Sequence, residues 1–391
     1  MPEPPSQKLV DAYGDELLSL LQKHWDNEHI DFVAPLKFLG AGEENLVYEF
    51  VLDDPDNVTG WGGTAIIARI PHAGRGDNNH HLARVQYALN EMDAPAPRAI
   101  YVGSFDDGTS VIVMEKMRGL HLPTMGCLTV IMLTFLLMVF WWFDTSPLWL
   151  VFAIWVLVIG TLSYPGIMMR RIHRLDPAEF RQHYVDAGGA PERLSVGTYI
   201  DGLRSWSLEN GLPELIPGVD WLEQHCPQID EKVVCHGDCH PFNILMSKTG
   251  AASLVDWDSA VIAPREYDIA WLQQIYRFFP HAEPEMSPLA RLACIVGRGL
   301  LLLVLRPITM TYNIGIRVDR KRLRYFEALH MICWLNLLKR NTTKEENLEA
   351  NASASVDSDD WARYTASQMK QSFFERTGVT LVTNEPEPKS S

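Results

Sequence analysis

Positive charge is short in this chain. Against 49 Asp and Glu there are 34 Lys and Arg in 391 residues, a formal net charge of −15. That shortage argues against a nucleic-acid binder, which needs a basic footprint against phosphates. Cysteine is scarce as well, and six in a chain of this length do not make a disulfide framework. There is no internal repeat, so a solenoid or propeller is not expected. The opening Met1-Pro2-Glu3-Pro4-Pro5 has neither a basic nor an apolar stretch, and no secretory signal is expected from it. Apolar residues at 47 % and charged residues at 21 % are the balance of a folded chain rather than a disordered one. Long uncharged runs are missing except in one place, roughly Met125 to Met169.

What is there reads first as a small α+β segment. Leu9, Tyr13, Leu17, Leu20 and Leu21 recur at helical spacing and predict an amphipathic helix over 8–25. Strands are predicted over 36–39, 46–52, 64–70, 99–102 and 110–115, with a helix over 80–92 closed by Pro95 and Pro97. From Asp176 to about Leu338 the pattern is mainly helical, with a β-like patch over 233–255. Polar, acidic composition follows from Asn341, with a last helix predicted over 360–376 and disorder at 384–391.

The most informative stretch is His236-Gly237-Asp238-Cys239-His240-Pro241-Phe242-Asn243, followed thirteen residues after Asn243 by Asp256-Trp257-Asp258. Phosphoryl transfer asks little covalent chemistry of a protein. It needs a carboxylate to orient and deprotonate the attacking hydroxyl, and hard oxygen ligands for Mg²⁺ on the phosphates. Asp238 offers the first; Asn243 and Asp256 offer the second.

These motifs, in this order and spacing, resemble those of the aminoglycoside phosphotransferase and choline kinase-like family, over about residues 33–120 and 171–340. The resemblance implies a two-lobed protein-kinase-like fold of the α+β class. It implies Asp238 as catalytic base, Asn243 and Asp256 as magnesium ligands, His236 and His240 as residues that shape the loop, and Asp268 as a buried brace. Gly40-Ala41-Gly42-Glu43-Glu44-Asn45 resembles the nucleotide loop, so Gly40, Gly42 and Asn45 are candidate ATP contacts. Glu115 and Met117 fall where the adenine-binding hinge would be. On this reading 1–119 is the nucleotide lobe and hinge, 122–168 an apolar hairpin, 169–340 the catalytic and acceptor lobe, and 341–391 an acidic tail. The cofactors implied are ATP and Mg²⁺. The partner implied is a small molecule bearing a hydroxyl.

Three departures stand out. Arg69 occupies the strand position of the usual phosphate-pairing lysine, and the two are not interchangeable. The helix over 80–92 has no well-placed glutamate to pair with it. The helix that should follow the hinge is not recognisable. Trp257 in place of Phe-Gly, and the lack of an Ala-Pro-Glu segment, set the chain apart from protein kinases. A catalytically weak nucleotide-binding scaffold of the same fold is the alternative. Cys235-His236 and Cys239-His240 carry zinc-ligand types, but core and loop-filling roles account for both cysteines. Trp271 and Tyr276 read as core.

Residues 125–143 and 147–164 are uncharged, and each is long enough for a helix of roughly 27–28 Å, close to the ~30 Å of a hydrocarbon core. Tryptophans 141, 142 and 149 flank the turn between them, and Arg170, Arg171 and Arg174 follow. The expectation is a transmembrane hairpin with both lobes on the cytoplasmic side. The competing readings are a segment foreign to the native chain and a buried hairpin.

Overall fold

A computed structural model of the chain describes residues 6–41, 45–72, 78–122, 124, 163–228, 231–247, 251–277, 288–349 and 357–381. The chain divides into two compact units. One comprises Met1–Met125, Ala178–Pro191 and Phe242–Ser259; the other comprises Gly126–Pro177, Glu192–Pro241 and Ala260–Ser391. The boundary between Pro241 and Phe242 falls within the 236–243 stretch.

The first unit is built on a five-stranded antiparallel sheet. Its strands are β1 (Asp31–Ala41), β2 (Asn45–Asp53), β3 (Ala65–Pro71), β4 (Ala99–Ser104) and β5 (Ser110–Glu115), in the order β1-β2-β3-β5-β4. Alternation decides which residues face inward. Tyr48, Phe50 and Leu52 of β2 are buried, as are Ile66, Ala68 and Ile70 of β3. Helix α1 (Gln7–Trp25) lays Val10, Gly14, Leu17 and Leu21 against this core, a spacing of three and four residues that keeps them on one face. Asp26 ends α1 in the left-handed region at φ 49, its N–H directed at the Gln22 and Lys23 carbonyls. Helix α2 (Asn79–Glu91) packs on β4 and β5, which explains why β5 is buried at five consecutive positions rather than alternately.

A second sheet in this unit joins β6 (Leu120–His121), β8 (Ile244–Met246) and β9 (Ala252–Leu254) in the order β6-β8-β9. Gly119 makes the approach possible, because a Cβ there would stand 2.5 Å from the Met246 carbonyl oxygen. Helix α3 (Pro177–Asp186) contributes Tyr184, whose hydroxyl lies 2.8 Å from His81 Nδ1 of α2.

The second unit is mainly helical. After helical residues 163–172 it contains α4 (Val196–Glu209), α5 (Ile216–Gln224), the short pair β7 (Val233–Cys235) and β10 (Val261–Ala263), and then α6 (Glu266–Arg277), α7 (Pro288–Asn313), α8 (Arg320–Glu349) and α9 (Asp357–Thr377). Its core gathers Leu203, Leu215, Leu222, Phe326, Ile332 and Phe373. Several elements differ from the sequence reading: β1 runs over Asp31–Ala41 rather than 36–39, taking in Gly40 and Ala41, and β6 was not expected. Strand β10 was not expected, since three residues are too few to show a period. Helix α8 runs on to Glu349, past the change to polar composition at Asn341.

The expected hairpin over 125–143 and 147–164 lies outside the described residues, except for the helical turn at its end. Among the described residues no helix is long and apolar enough to cross a membrane. That finding overturns the membrane location expected from the sequence. The longest apolar helix, α7, carries Arg291, Arg298 and Arg306 along its length, and each would be costly in a bilayer.

Candidate active site

The second unit holds the loop that leaves β7. Asp268, in the first turn of α6, is fully buried and accepts from the backbone N–H of His236 at 3.0 Å and of Gly237 at 2.7 Å. Two successive N–H groups reach one carboxylate because Gly237 sits at φ 81, where a side chain would be strained. His173 Nε2 lies 3.0 Å from Asp268 Oδ2, and its Nδ1 lies 2.6 Å from the Tyr312 hydroxyl. Burial alone would raise the Asp268 carboxyl. The hydrogen bond and charge of His173, the neighbouring His236 ring and the Gly237 N–H together hold it below the usual range.

His236 is completely buried, and its Nδ1 accepts from the Asp238 backbone N–H at 3.1 Å. That bond makes Nδ1 the unprotonated ring nitrogen. The Asp238 carboxylate is then oriented from two sides. Trp271 Nε1 of α6 donates to Oδ1 at 2.6 Å, and His240 Nε2 lies 3.4 Å from the same oxygen. The Asp238 side chain keeps 23 % of its surface exposed, so an acidic group is fixed in direction and still reachable. Trp271 was expected to be plain core; it is half-buried and holds the candidate base.

Cys235 and Cys239 are buried, and burial raises both thiols well above their ordinary range, with nearby Asp268 adding to the effect. The Cys235 thiol points at the Ala263 and Pro264 carbonyls, at 3.7 and 3.6 Å. Zinc would need thiolates. His173, Cys235 and Asp268 do bring ligand atoms within 4.8 Å of one another, but the hydrogen bonds given above already engage all three. Tyr276 belongs to α6, and its side chain lies outside the described residues.

His330 of α8 lies behind Trp271, with ring centroids 5.1 Å apart, and its Nε2 donates to the Tyr267 carbonyl at 2.9 Å. Burial pushes its pKa down to about 4, against the opposing pull of the Tyr267 hydrogen bond and Asp268. The unfolded chain would take up a proton near pH 6.5, where the folded chain does not. Stability is therefore full above about pH 6.5 and falls as pH drops toward 4, by about 2 kcal/mol between pH 7 and pH 5 from this group. Urea unfolding at those two pH values should show the loss, and His330→Gln should flatten it. An equal slope in the variant would remove His330 as its source.

The first unit holds the other candidates. Asn243 ends the short turn Pro241–Asn243 and is nearly buried. Its carbonyl accepts from the Val255 N–H at 2.9 Å, which ties it to the segment carrying Asp256. Asp256 is in the left-handed region at φ 66, and its side chain is 48 % exposed. Asp tolerates that conformation better than bulkier residues, and such strain gathers at functional sites. The fully buried Trp257, whose Nε1 donates to the Leu254 carbonyl at 2.8 Å, anchors the turn from beneath.

Arg69 of β3 answers the question its sequence position raised. Its Nη2 lies 2.6 Å from Asp258 Oδ2 and its Nη1 lies 3.3 Å from Asp256 Oδ1. With its amide oxygen turned to the guanidinium, Asn45 accepts from Nη2 at 2.6 Å and from Nε at 3.0 Å. No helix glutamate is needed to hold this arginine, because two carboxylates and an amide do so. Asp258 had no role in the sequence reading. Burial raises its carboxyl, Arg69 pulls it back and Asp256 pushes it further up. Its Oδ1 is buried with no hydrogen-bond partner among the described residues. Hard oxygens, two adjacent carboxylates sharing one guanidinium, and an orphaned carboxylate oxygen are a donor set that fits a divalent cation such as Mg²⁺.

Of the remaining candidates, Gly40 pairs with Val47 at the end of β1, and none of the described residues stands within 4 Å of where its Cβ would be. Gly42 lies outside the described residues. Glu115 ends β5 and donates its N–H to the Arg98 carbonyl at 2.8 Å, so that N–H is already engaged. Half-buried Met117 follows it, next to Lys116, which pairs with Glu49 at 2.7 Å.

The geometry can be set beside known proteins. The structure is similar to a thermostable mutant of aminoglycoside phosphotransferase APH(4)-Ia solved as a ternary complex with AMP-PNP and hygromycin B. That match has 13 % identity, spans 91 % of this chain and 98 % of that one, and has a TM-score of 0.50. Aminoglycoside-3'-phosphotransferase of type VIII matches at 17 % identity over 82 % and 99 % of the two chains, with a TM-score of 0.49. Spectinomycin phosphotransferase APH(9)-Ia, in complex with ADP and spectinomycin, matches at 13 % over 93 % and 98 %, with a TM-score of 0.46. The first of these supports the kinase-like fold. The model of the APH phosphotransferase enzyme family matches residues 35–293, well over half the chain and all of the Asp238-to-Asp268 region. The chain belongs to the phosphotransferase enzyme family.

Proposed function

We propose that the chain is a small-molecule kinase, transferring the γ-phosphoryl of ATP to a hydroxyl of its acceptor. The observation that carries this reading is the Asp238 carboxylate, fixed by Trp271 and His240 yet part-exposed, on a loop whose backbone is held by Asp268. Asp238 orients the acceptor hydroxyl and takes up its proton as the new P–O bond forms. Arg69, stiffened by Asn45, Asp256 and Asp258, presents a guanidinium to phosphate oxygens. Its fork already engages those three groups, so its contribution is positive charge near the phosphates rather than a two-oxygen grip. Asn243 and Asp256, with Asp258 beside them, are the residues that would hold Mg²⁺, which when bound neutralises charge on the phosphates. Gly40 and Asn45 on the β1–β2 hairpin and the Glu115–Met117 segment are assigned to the nucleotide on the family resemblance.

The alternative of a nucleotide-binding scaffold without turnover drew on Arg69 and on the missing helix glutamate. The contacts of Arg69 weaken that ground. The test is to incubate the purified chain with Mg²⁺, ATP or GTP, and a panel of hydroxyl-bearing metabolites, and to follow nucleotide diphosphate release and phosphorylated products by mass spectrometry. A metal-dependent product is expected. Thermal stabilisation by Mg²⁺ and ATP with no product from any acceptor would favour the scaffold.

A further inference from the structure

The second unit holds a cavity that the chemistry of Asp238 does not use. Its volume is about 340 Å³, and it is lined by residues of α6, the end of α7, the start of α8 and the loop between the last two. That size is within the range of small-molecule sites, roughly 300–1,000 Å³. Helix α6 contributes Ile269 and Gln273. Each stands two positions from Trp271, the residue that holds the candidate base. Two positions turn a helix by about 200°, so the cavity and Trp271 are on opposite sides of α6.

The backbone around the cavity is tied down. Arg170 donates to the carbonyls of Thr311, at 3.3 Å, of Tyr312, at 3.0 Å, and of Ile314. Gly315 turns the chain at φ 73. Asp319 donates its N–H to buried Glu266 Oε1 at 2.8 Å, and its own Oδ1 accepts from the N–H of Lys321 at 2.7 Å and of Arg322 at 3.0 Å. Positive charge is concentrated here, in a chain of net charge −15: residues 317–324 carry five Lys and Arg against one Asp. Two of the five, Arg317 and Arg320, line the cavity. A guanidinium fork matches carboxylate and phosphate oxygens, and such bonds are charge-assisted. Ile269, Ile316, Val318 and Leu323 make much of the remaining wall apolar. A bare inorganic ion would leave that apolar surface uncovered.

We propose that this cavity is a second ligand site, separate from the candidate active site, and that it takes a small organic anion, a carboxylate or phosphate ester on an apolar body. Arg317 and Arg320 bind the anionic group, and the apolar wall covers the body. The site does not depend on the kinase reading, because no step at Asp238 enters it.

Calorimetric titration of the full chain with phenylacetate, phenyl phosphate, benzylamine and inorganic phosphate tests the proposal. At least one of the two aromatic anions should bind, and the tighter of them identifies the anionic group. Replacing both arginines, Arg317→Gln with Arg320→Gln, should weaken that binding by roughly tenfold or more, since two charge-assisted contacts are lost. Both side chains are exposed, so the double variant should fold. Arg317→Gln alone, which leaves α8 untouched, is the second variant and should weaken binding by about threefold. Asp238→Asn should bind the same anion within about twofold of the unaltered chain, as expected of an independent site. The proposal is overturned if neither aromatic anion binds, or if their binding is indifferent to the arginine variants. Loss of binding in Asp238→Asn overturns it too, by moving the anion to the candidate active site. So does benzylamine or inorganic phosphate binding as tightly as the aromatic anions, since charge sign or the apolar body would then not matter.

Discussion

Asp238→Asn should lower kcat by 10²- to 10⁴-fold, the usual range for loss of a positioned general base. That corresponds to about 3–5 kcal/mol on the barrier. The substitution is close to isosteric. An amide oxygen still accepts from Trp271 Nε1, now placed 2.6 Å from the carboxylate, so the loop has little reason to move. What is lost is the capacity to take a proton. Stabilisation by Mg²⁺ and ATP should therefore stay near its original value while steady-state turnover collapses. Such a split separates a base from a binding residue, whose loss would weaken nucleotide affinity. Turnover retained within a few-fold in Asp238→Asn would withdraw the assignment of Asp238 and leave the motif with a structural role only.

The linear part of the site was legible because its chemistry is compressed into one loop. Asp238, Asn243 and Asp256 follow one another at fixed spacings, and so do His236 and His240. Their partners were not legible. Trp271 lies 33 residues beyond Asp238, and His173 lies 95 residues before Asp268. No local pattern announces contacts at such separations. Arg69 was noticed as an anomaly, but its partners Asp256 and Asp258 come from the segment after β9, far along the chain, and a search confined to the neighbouring helix could not find them. Asp258 itself was visible in the motif and was passed over, because a second carboxylate in a turn has many innocent explanations. Strands β2 and β3 were legible through alternation, β5 as a short apolar run, and α9 through its apolar spacing. Three-residue β10 offered no period, and α8 outran its apolar face because Lys344, Glu345 and Glu346 are helix formers despite their polarity.

Asp268→Ala should cost about 3–5 kcal/mol of folding stability, the range for breaking a buried charge pair. Three groups lose their acceptor at once: the N–H of His236, the N–H of Gly237 and His173 Nε2. His236 is fully buried and water cannot replace the carboxylate there. Asp268→Asn keeps one acceptor oxygen and most of the volume, so roughly half that loss is expected. The sign with pH follows from the depressed carboxyl. The stabilisation is fully present above the unfolded carboxyl range, near pH 4, and is lost as pH falls through the lower folded value. The deficit of the alanine variant should thus be constant from pH 7 down to about 5 and shrink only in stronger acid. Urea unfolding of both variants at pH 7 gives the magnitude, and hydrogen exchange at His236 and Gly237 gives the mechanism, since both amides should exchange orders of magnitude faster. A stability loss below about 1 kcal/mol with protected amides would mean that the loop is held by the strand pair β7–β10 alone. In the opposite case the activity of folded Asp268→Asn should fall further than its stability, because Asp238 would then be presented from a loop whose two preceding peptide groups are no longer fixed.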